Sequence, residues 1–506
     1  MANELNEIWT DDLLGRRSDA ELLIKFLLRR FDERQQEGQS GAYVVNLNAA
    51  WGHGKTFFLE RLKRHIEAQG HLCTYVNGWR DDGGGEPLIA VMASIEETLS
   101  PFLAKEASAA KLWRRAKSSG AQIMAAIAKG AAKKVVSKVI GDGVHEVIEI
   151  FEGEPLAASG EDKEVDRDRS LNDDNLSDAV SNVTELLDRY LDSKLEGYLA
   201  RVAAAESFKV NASSVLEAVR ANGAHKLPYL ILIDELDRCR PTYAIEMLEQ
   251  VKHLFDIDGA IFLIATDGDQ LSHSVSAVYG NDFDSKRYLL RFFNRHYRFE
   301  RRDLYPFVTF LFKRFEIDRG MLSTPFGVDP VEVFVGAMRY YEVTLRDAEQ
   351  CFDLLRTVVT LWDHKVPIEL TFILPLIIFF QRHDLPAMMG HLNPEVMDNR
   401  SGDAGLWQIK AKVSEGYGRS VERNISVPAI NAELRRQMTR PIPDVLRENP
   451  RRESPVSQYA YDVLTKEFTV IHRNAFTGSG PLSILNKYGD VVRSVGRFTP
   501  EGEGGT

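Results

Sequence analysis

Apolar residues in the first 300 positions follow two alternating patterns, one typical of buried strands and one typical of amphipathic helices. Five short runs have the composition of strands, namely 43–48, 72–77, 230–235, 260–265 and 296–299. The third and fourth runs are almost unbroken, which is typical of strands buried on both faces of a parallel sheet. The segments between them have helical spacing, so the pattern predicts an α/β fold with a doubly wound parallel sheet.

Helices are predicted between these strands and beyond the last of them. Apolar residues recur at helical spacing in 241–255, and a further helix is expected over 284–294. From residue 300 onward the sequence is helical, with apolar stripes in 307–315 and 331–341. The longest apolar run, 370–380, contains a proline and falls well short of the roughly 20 residues that span a bilayer, so we expect a buried helix there.

Composition and charge narrow the class of protein. The three cysteines, Cys73, Cys239 and Cys351, are far apart and lack metal-ligand spacing, so free thiols in a reducing compartment are expected. The first twelve residues are polar and acidic, unlike a signal peptide, which favours a cytoplasmic protein. The formal net charge of −11 argues against a surface that binds nucleic acid as a whole, but is compatible with a local basic patch.

A loop that contains two glycines follows the first predicted strand and precedes a helix. Residues 49–56 read Ala-Ala-Trp-Gly-His-Gly-Lys-Thr, between the strand 43–48 and a helix that continues through Phe57. A phosphate-binding P-loop requires this order, because its backbone N–H groups and the positive end of the helix attract phosphate oxygens. The spacing predicts that Lys55 contacts the β- and γ-phosphates and that Thr56 binds Mg²⁺.

The two glycines of the loop have a predicted conformational role. Gly52 and Gly54 allow backbone dihedrals and a close approach to phosphate that a side chain would block. The usual pattern, G-x-x-x-x-G-K-[ST], begins with another glycine, and this chain has Ala49 there. Because of this departure the loop alone is only moderately specific, and a second motif has to support it.

The second motif is a pair of carboxylates at the end of a buried strand. Asp234 and Glu235 end the apolar run that begins at Leu230. In a parallel sheet they would lie at the same edge as the P-loop, where Asp234 can hold Mg²⁺ and Glu235 can orient or deprotonate an attacking water. Alone, the pair would be better explained by a solvated turn. Together the two motifs predict a site for a nucleotide, ATP with Mg²⁺.

The motifs and their flanks resemble one family of nucleotide hydrolases, the KAP-family P-loop NTPases. The resemblance lies in Trp-Gly-His-Gly-Lys-Thr at 51–56, in Ile-Asp-Glu-Leu-Asp-Arg-Cys-Arg-Pro at 233–241 and in the helix that follows, with a lead-in at 13–16. It implies an additional-strand P-loop fold in which the catalytic glutamate follows the Mg²⁺-binding aspartate. It further implies ATP hydrolysis, assembly into oligomers or complexes and, in bacteria, a frequent association with phage exclusion.

The two motifs are far apart in a chain of 506 residues, which is longer than one hydrophobic core usually supports. Five segments are expected: the first part of the NTPase core at 1–103, a mostly helical insertion at 104–223, the second part of the core at 224–300, a helical lid domain at 301–390, and a C-terminal region of uncertain fold at 391–506.

Residues around the two motifs are further candidates for contact with the nucleotide. Trp51, His53 and Phe57 belong to the loop or to the helix that it opens. We expect Trp51 to pack the loop against the core and His53 to be a loop residue and not a catalytic base. Thr266 or Asp267, at the end of the next buried strand, is placed to sense the γ-phosphate or orient water, but a plain strand-end turn explains them almost as well.

Three arginines are candidates of a weaker kind. Arg16 is a candidate for contact with the adenine, and an ordinary surface arginine is the default interpretation. Arg346 lies in the first turn of a helix that Thr344 caps, where it resembles the sensor arginine of related ATPases or is only solvated. Arg238 and Asp237 either form a buried ion pair that positions Glu235 or cap the following helix.

Hydrolysis is predicted to need a neighbouring subunit. The helix predicted over 284–294 and the residues just beyond it carry Arg287, Arg291 and Arg295 at i, i+4 and i+8, on one face or its continuation. Oligomeric P-loop ATPases present an arginine to the γ-phosphate of the next subunit at this point of the fold. Arg291, central on the face, is the best candidate for such a finger, and the alternative is a solvated basic face.

The insertion contains a basic segment followed by an acidic one. Residues 111–138 have eight lysines and arginines, no acidic residue and an apolar stripe that includes Ile123. Such a helix binds an anionic membrane surface or an acidic partner, or else it covers its own core. The stretch 152–178 is acidic and poor in apolar residues, which predicts a flexible loop.

Arginines beyond residue 386 predict either a nucleic-acid or partner surface or a solvated face.

Three functions agree with these residues. The first is an ATPase, the switch or motor of a bacterial anti-phage defence complex, whose effector would be a separate protein because the sequence has no second catalytic constellation. The second is a scaffold that binds ATP, turns over negligibly and organises partners. The third is a DNA-stimulated ATPase. Further copies of the chain and other proteins of a defence operon are the expected partners.

Overall fold

The computed structural model describes most of the chain. The described residues are 2–139, 198–200, 202–223, 225–300, 302–393, 407–414, 420–448, 454–471 and 480–497, and the side chains of residues 2, 126–139 and 414 lie outside this description. The acidic stretch predicted over 152–178 lies outside the described residues, as does part of the C-terminal region.

Contacts within the chain define two compact units. The first consists of Met1–Ile8, Ala20–Ala49 and Thr56–Arg298, and the second of Trp9–Asp19, Ala50–Lys55 and Phe299–Thr506. Residues Ala50–Lys55 of the P-loop thus belong to the second unit. The strand before them and the helix from Thr56 onward belong to the first.

A parallel sheet forms the centre of the first unit. Its strands are β1 (Tyr43–Asn48), β2 (His71–Asn77), β3 (Lys226–Asp234), β4 (Ala260–Thr266) and β5 (Arg295–Tyr297), in the order β2-β3-β4-β1-β5. β4 lies between β1 and β3 and is parallel to both. A strand inserted in this place is the additional strand that the resemblance implied, so the predicted α/β fold is confirmed.

Burial along the strands follows the apolar pattern of the sequence. All seven residues of β4 are buried, as are the last seven of β3, which is typical of a sheet covered on both faces. β1 and β4 stay in register to their carboxyl ends, where Asn48 pairs with Thr266. β3 and β4 pair as far as Ile233 and Ile264. The carboxyl ends of β1 and β3 therefore lie at one edge of the sheet, with the end of β4 between them.

The helices of the first unit alternate with the strands, and the insertion lies between β2 and β3. In chain order they are α1 (Ala2–Ile8), α2 (Arg16–Gln36), α3 (Lys55–Ala68), α4 (Gly78–Asp82), α5 (Pro87–Leu103), α6 (Ala107–Val139), α7 (202–222), α8 (Pro241–His253), α9 (Gly268–Tyr279) and α10 (Ser285–Leu289).

The first half of α6, the basic helix of the insertion, packs on the core. Trp113 and Ile123 are 3% and 4% exposed, and the Ser119 hydroxyl donates to the Ser207 hydroxyl of α7 at 3.0 Å. This half of the helix covers its own core, which was one of the two alternatives. The lysines of the second half fall within 126–139, whose side chains lie outside the description, so binding to a membrane or partner stays a prediction for them.

The helix predicted over 284–294 is wrong in length. α10 ends at Leu289, because the chain then turns to pair with β1. The Asn294 side-chain oxygen accepts from the Val44 N–H at 2.8 Å, and the Asn294 N–H donates to the Val44 carbonyl at 2.8 Å. These bonds lead into β5, and a longer helix would forgo them.

The second unit is mainly helical. Its helices are α11 (Tyr305–Arg314), α12 (Pro330–Tyr340), α13 (Leu345–Leu361), α14 (Leu370–Gln381), α15 (Leu385–Leu392), α16 (Val427–Met438), α17 (Ile442–Glu448), α18 (Pro455–Ile471) and α19 (Tyr488–Val495). Two small sheets accompany them: β6 (Leu322–Ser323) is parallel to β7 (Ile368–Glu369), and β8 (Gln408–Ser414) is antiparallel to β9 (Ser420–Ser426).

Aromatic side chains form part of the core of the second unit. The ring centroids of Phe334 and Phe352 are 4.2 Å apart, and those of Phe312 and Phe352 are 4.9 Å apart. α14 is buried from Leu370 to Phe379, as the apolar pattern predicted. Within the described part of the chain, no helix has both the length and the apolar character needed to cross a bilayer.

Candidate functional site

The P-loop leaves β1 and opens α3, whose first residue is Lys55. Gly52 and Gly54 have φ angles of 75° and 80°, in the left-handed region that side chains disfavour. A β-carbon at Gly52 would also lie 2.7 Å from the Thr344 hydroxyl oxygen, closer than two such atoms can approach. The unusual backbone dihedrals predicted for the two glycines are therefore confirmed, and their close approach to phosphate stays a prediction.

Ala49 stands at the position of the first glycine without backbone strain. Its N–H donates to the Thr266 carbonyl at 3.1 Å, which extends the contact between β1 and β4 by one residue. Ala49 is not among the described residues with positive φ. A residue with ordinary dihedrals needs no glycine, so this departure from the usual P-loop pattern has a local explanation.

The side chains of the loop differ in burial. Lys55 is 8% exposed, whereas Thr56 and Phe57 are half-buried. Trp51 is 44% exposed, so the prediction that it packs the loop against the core is wrong. His53 is exposed and its Nδ1 lies 3.1 Å from the Trp51 carbonyl oxygen, a contact within the loop.

Asp234 ends β3 as a fully buried carboxylate. Its Oδ2 accepts from the Tyr75 hydroxyl at 3.0 Å, and its Oδ1 accepts from the Glu235 N–H at 2.8 Å. Burial, together with the charge of Asp234, raises the pKa of Tyr75, so the phenol keeps its proton and remains a donor. The two bonds orient the carboxylate and leave further lone pairs on both oxygens.

Glu235 combines an unusual backbone with two side-chain partners. Its φ is 58°, in the left-handed region that a glutamate seldom occupies. The Asn77 amide donates to Oε2 at 3.1 Å, and the Arg238 guanidinium lies 2.6 Å from Oε1. Backbone conformations of this kind cost about 1–3 kcal/mol and cluster at functional sites, where the surrounding structure holds them.

Arg238 pairs with Glu235 itself, a partner that neither alternative named, and the capping alternative for Asp237 and Arg238 is wrong. The two residues lie in a short 3₁₀ turn, Leu236–Arg238, directly after Glu235. The residue that caps α8 is Arg240, and its side chain makes no cap hydrogen bond. In a 3₁₀ turn residue i+3 lies over residue i, and this geometry makes Glu235 the partner of Arg238.

Two oxygen donors near the motifs fit Mg²⁺. They are the Thr56 hydroxyl, at the second position of α3, and the Asp234 carboxylate at the end of β3. Among the described residues, no group of three or more His, Cys, Asp or Glu side chains could hold a metal ion. Mg²⁺ usually takes one or two protein ligands and completes its shell with water and substrate phosphate, so a hydroxyl and one carboxylate suit it.

Side chains that were not predicted tie the end of β4 to β1. Thr266 is fully buried and donates to Asn46 Oδ1 at 2.9 Å, and Asn48 Oδ1 accepts from the Gly268 N–H at 3.0 Å. Asp267 caps α9 by accepting two backbone N–H groups of its first turn. The strand-end interpretation of Thr266 and Asp267 therefore has direct contacts in its favour. Polar residues within the otherwise apolar β1 are the signal that would have indicated the two asparagines.

Arg16 is buried, so the alternative of an ordinary surface arginine is wrong. It is 7% exposed and lies 3.2 Å from the Asp19 carboxylate. Its guanidinium is 3.9 Å from the centroid of the Phe299 ring and donates to the Glu300 carbonyl at 3.3 Å. These contacts fix the start of α2 within the second unit, and contact with adenine stays a prediction.

Arg346 lies next to the P-loop. α13 begins at the predicted cap, Thr344, which forms a capping box with Asp347. The Leu345 N–H donates to the Gly52 carbonyl at 3.2 Å, and a β-carbon on Gly52 would lie 3.2 Å from that of Arg346. The Arg346 side chain is exposed. An exposed guanidinium on a helix that contacts the P-loop agrees with the sensor interpretation, and contact with nucleotide stays a prediction.

The three candidate finger arginines are exposed but do not share a helix face. Arg287 lies in α10, Arg291 in the turn after it and Arg295 in β5. The i, i+4, i+8 spacing therefore does not place the three arginines on one face, because the helix ends at Leu289 and the chain then pairs with β1. The neighbouring Leu289 and Phe292 are buried. Arg291 stays a candidate through its exposure.

Just over half of the chain matches the model of a known protein family. The model described as the KAP family P-loop domain matches residues 35–294. The match contains the P-loop after β1, the carboxylates after β3 and the four strands β1 to β4, and it ends one residue before β5. None of the curated proteins matches the chain. This chain therefore belongs to the KAP family of P-loop NTPases.

Proposed function

We propose that this KAP NTPase binds ATP with Mg²⁺ and hydrolyses it. The observation that carries the proposal is the place of the two motifs in the sheet. The P-loop follows β1, the Asp234–Glu235 pair ends β3, and the carboxyl ends of these parallel strands lie at one edge with β4 between them. Phosphate-binding N–H groups, a lysine and two carboxylates in this arrangement support transfer of a phosphoryl group to water.

Each residue has a role in the proposed reaction. Lys55 neutralises charge on the β- and γ-phosphates. Thr56 and Asp234 hold Mg²⁺, which supplies further charge neutralisation when it is bound. Glu235 orients the attacking water and accepts its proton. The bond from the water oxygen to the γ-phosphorus forms while the bond to the β–γ bridging oxygen breaks, and the products are ADP and inorganic phosphate.

The biological part of the proposal follows the family resemblance. We assign hydrolysis the role of a switch or motor in a cytoplasmic complex of bacterial anti-phage defence, with a separate protein as the effector. Further copies of the chain are the proposed partners in catalysis, and Arg291 would supply positive charge to the γ-phosphate of a neighbouring copy. The basic segments of the insertion and of the C-terminal region are the proposed contacts with an anionic membrane surface, a nucleic acid or an acidic partner.

Steady phosphate release by the purified full-length chain tests the enzymatic proposal. With ATP and Mg²⁺ we expect release that is linear in time and is lost in Lys55→Ala. Lys63→Ala is the matched control, because Lys63 is a more exposed lysine of the same helix, paired with Glu67, and it should retain wild-type release.

Two other results would contradict the proposal in different ways. Wild-type release no faster than that of Lys55→Ala, with ATP still bound to wild type, would identify a scaffold that organises partners without turnover. Release that appears only when DNA is added would identify a DNA-stimulated ATPase.

A further inference from the structure

Both carboxylate oxygens of Glu235 have a donor, and the two donors come from different parts of the chain. Arg238, in the turn after β3, approaches Oε1 to 2.6 Å, and Asn77, at the end of β2, donates to Oε2 at 3.1 Å. The side chains of Glu235 and Arg238 are 14% and 32% exposed, so solvent screens their ion pair only in part. Each oxygen keeps a further lone pair, but the carboxylate can rotate towards a new partner only by giving up one of these bonds.

Asn77 links this carboxylate to α4. Its Oδ1 accepts from the Arg80 N–H at 2.9 Å and so caps α4, while its Nδ2 donates to Glu235. The turn into α4 also packs closely on the turn after β3, since a β-carbon at Gly78 would lie 3.2 Å from the Asp234 carbonyl oxygen. A shift of α4 would therefore move the amide that holds Glu235.

Trp79, the second residue of α4, reaches the other donor. The guanidinium carbon of Arg238 lies 5.7 Å from the centroid of the Trp79 ring, and the tryptophan is 57% exposed. A cation–π contact at this distance and exposure is weak. Arg238 is thus shared between a nearly buried carboxylate and an exposed ring, and α4 contacts both residues that hold Glu235.

We infer that Arg238 and Asn77 together inhibit hydrolysis by restraining the Glu235 carboxylate, and we call this pair of contacts the brake. They hold the carboxylate away from the attacking water, and a movement of α4 releases it. The inference rests on the proposed function, because it assigns a means of regulation to the same ATPase site. Arg238 is a positioning residue in this scheme, since it affects the reaction only through Glu235.

The test measures kcat and KM for ATP in variants of the full chain. Arg238→Ala removes the ion pair, and Asn77→Asp keeps the oxygen that caps α4 but replaces the donor to Glu235 by a second carboxylate. Each should raise kcat about three- to five-fold, the range that a partly screened ion pair supports, and leave KM within about two-fold. Arg238→Lys, which keeps the charge, should return kcat towards the wild-type value.

Arg80→Ala is the matched control for this comparison. Arg80 is an exposed arginine of α4 whose side chain pairs with Asp81 and does not bond Glu235, so its removal should leave kcat unchanged. Trp79→Ala should raise kcat by a smaller factor than Arg238→Ala, because the Trp79 ring helps to hold the Arg238 guanidinium in place and its loss loosens the ion pair with Glu235 without removing it.

A lower kcat in Arg238→Ala with an unchanged KM would overturn the brake, since it would mean that the pair holds Glu235 in its working position. An unchanged kcat in both Arg238→Ala and Asn77→Asp would overturn it too. If Arg238→Ala does not fold, Asn77→Asp carries the same comparison. Failure of the proposed function would give a separate result, in which neither wild type nor any variant releases phosphate although ATP binds. That result would overturn the inference about Arg238 and Asn77 as well.

Discussion

The carbonyl oxygen of Gly52 accepts a hydrogen bond from the N–H of Leu345, with 3.2 Å between the two atoms. The donor is one of the N–H groups that the start of a helix leaves without an intrahelical partner, so the P-loop forms part of the cap of α13. A change in the conformation of the loop would therefore act directly on the first turn of this helix.

Substitution of the loop glycines should separate backbone strain from steric conflict. Gly54→Ala brings only the cost of a positive φ, about 1 kcal/mol, because no atom lies within 4 Å of its β-carbon position. Gly52→Ala has the same strain and also a β-carbon 2.7 Å from the hydroxyl of Thr344, which is held as the cap of α13 by the Asp347 N–H at 3.1 Å. We expect about 2–3 kcal/mol for it. Urea unfolding without nucleotide measures both, and equal losses would contradict the close fit of the loop to α13.

Arg346 should contribute to nucleotide affinity if it acts as a sensor. Arg346→Ala should weaken ATP binding about ten-fold, the loss of one charge-assisted hydrogen bond, as measured by calorimetry with Glu235→Gln in the background to prevent turnover. Arg356→Ala is the control, because Arg356 is exposed on the same helix, nearly three turns from the P-loop. Equal affinities in the two variants would identify Arg346 as an ordinary solvated arginine.

A buried carboxyl makes the stability of the second unit depend on pH. Glu369, at the end of β7, accepts hydrogen bonds from the Thr371 hydroxyl at 2.7 Å and from the Tyr459 hydroxyl. Burial raises its pKa from the usual 4.5 to about 7. Between these two values the folded state keeps a proton that the unfolded state has lost, so the stability that this group contributes is full below about pH 4.5 and is lost as the pH rises through about 7.

Replacement of this carboxyl by an amide should remove the dependence. Glu369→Gln should be more stable than wild type at pH 8.5, by on the order of 3 kcal/mol at most, and the difference should shrink towards pH 5. Urea unfolding of the second unit at several pH values measures it, with the exposed Glu332→Gln as the control. Parallel pH profiles for wild type and Glu369→Gln would show that Glu369 is not the group responsible.

The trans finger predicts complementation between two inactive variants. Arg291→Ala should bind ATP normally and hydrolyse it about 10³-fold more slowly, because transition-state charge on the γ-phosphate is no longer neutralised. Mixing it with Lys55→Ala, which keeps Arg291 but binds no nucleotide, should restore phosphate release. Arg287→Ala, an exposed arginine of α10, is the matched control and should stay active alone. Wild-type activity that is linear in protein concentration down to a demonstrated monomer would exclude a finger from another subunit.

Local sequence patterns were sufficient to predict the elements whose side chains are almost all apolar or follow a short motif. The unbroken apolar runs of β3 and β4 predicted buried parallel strands, and the order of the P-loop and the Asp234–Glu235 pair predicted the edge at which the candidate site lies. The capping box of Thr344 and Asp347 likewise depends on residues three positions apart. In each case the stabilising contacts are within one element or follow from the alternation of strands and helices.

The parts that were not predicted depend on partners distant in sequence. Asn77 bonds Glu235 across 158 positions, and Tyr75 bonds Asp234 across 159, with the whole insertion between them. The helix expected over 284–294 ends early because Asn294 pairs with β1, so tertiary hydrogen bonds outweigh helical spacing. Long-range pairing of this kind leaves no periodic signal in the sequence.

The nucleotide that remains with the protein after incubation with ATP and Mg²⁺ tests the catalytic assignment most directly. Wild type should convert ATP to ADP, and Lys55→Ala should retain no nucleotide. Glu235→Gln should retain intact ATP, with turnover slower by about 10²–10⁴-fold, because the carboxamide preserves the shape of the side chain but cannot accept the proton of water. Conversion of ATP to ADP by Glu235→Gln at the wild-type rate would contradict the role assigned to Glu235.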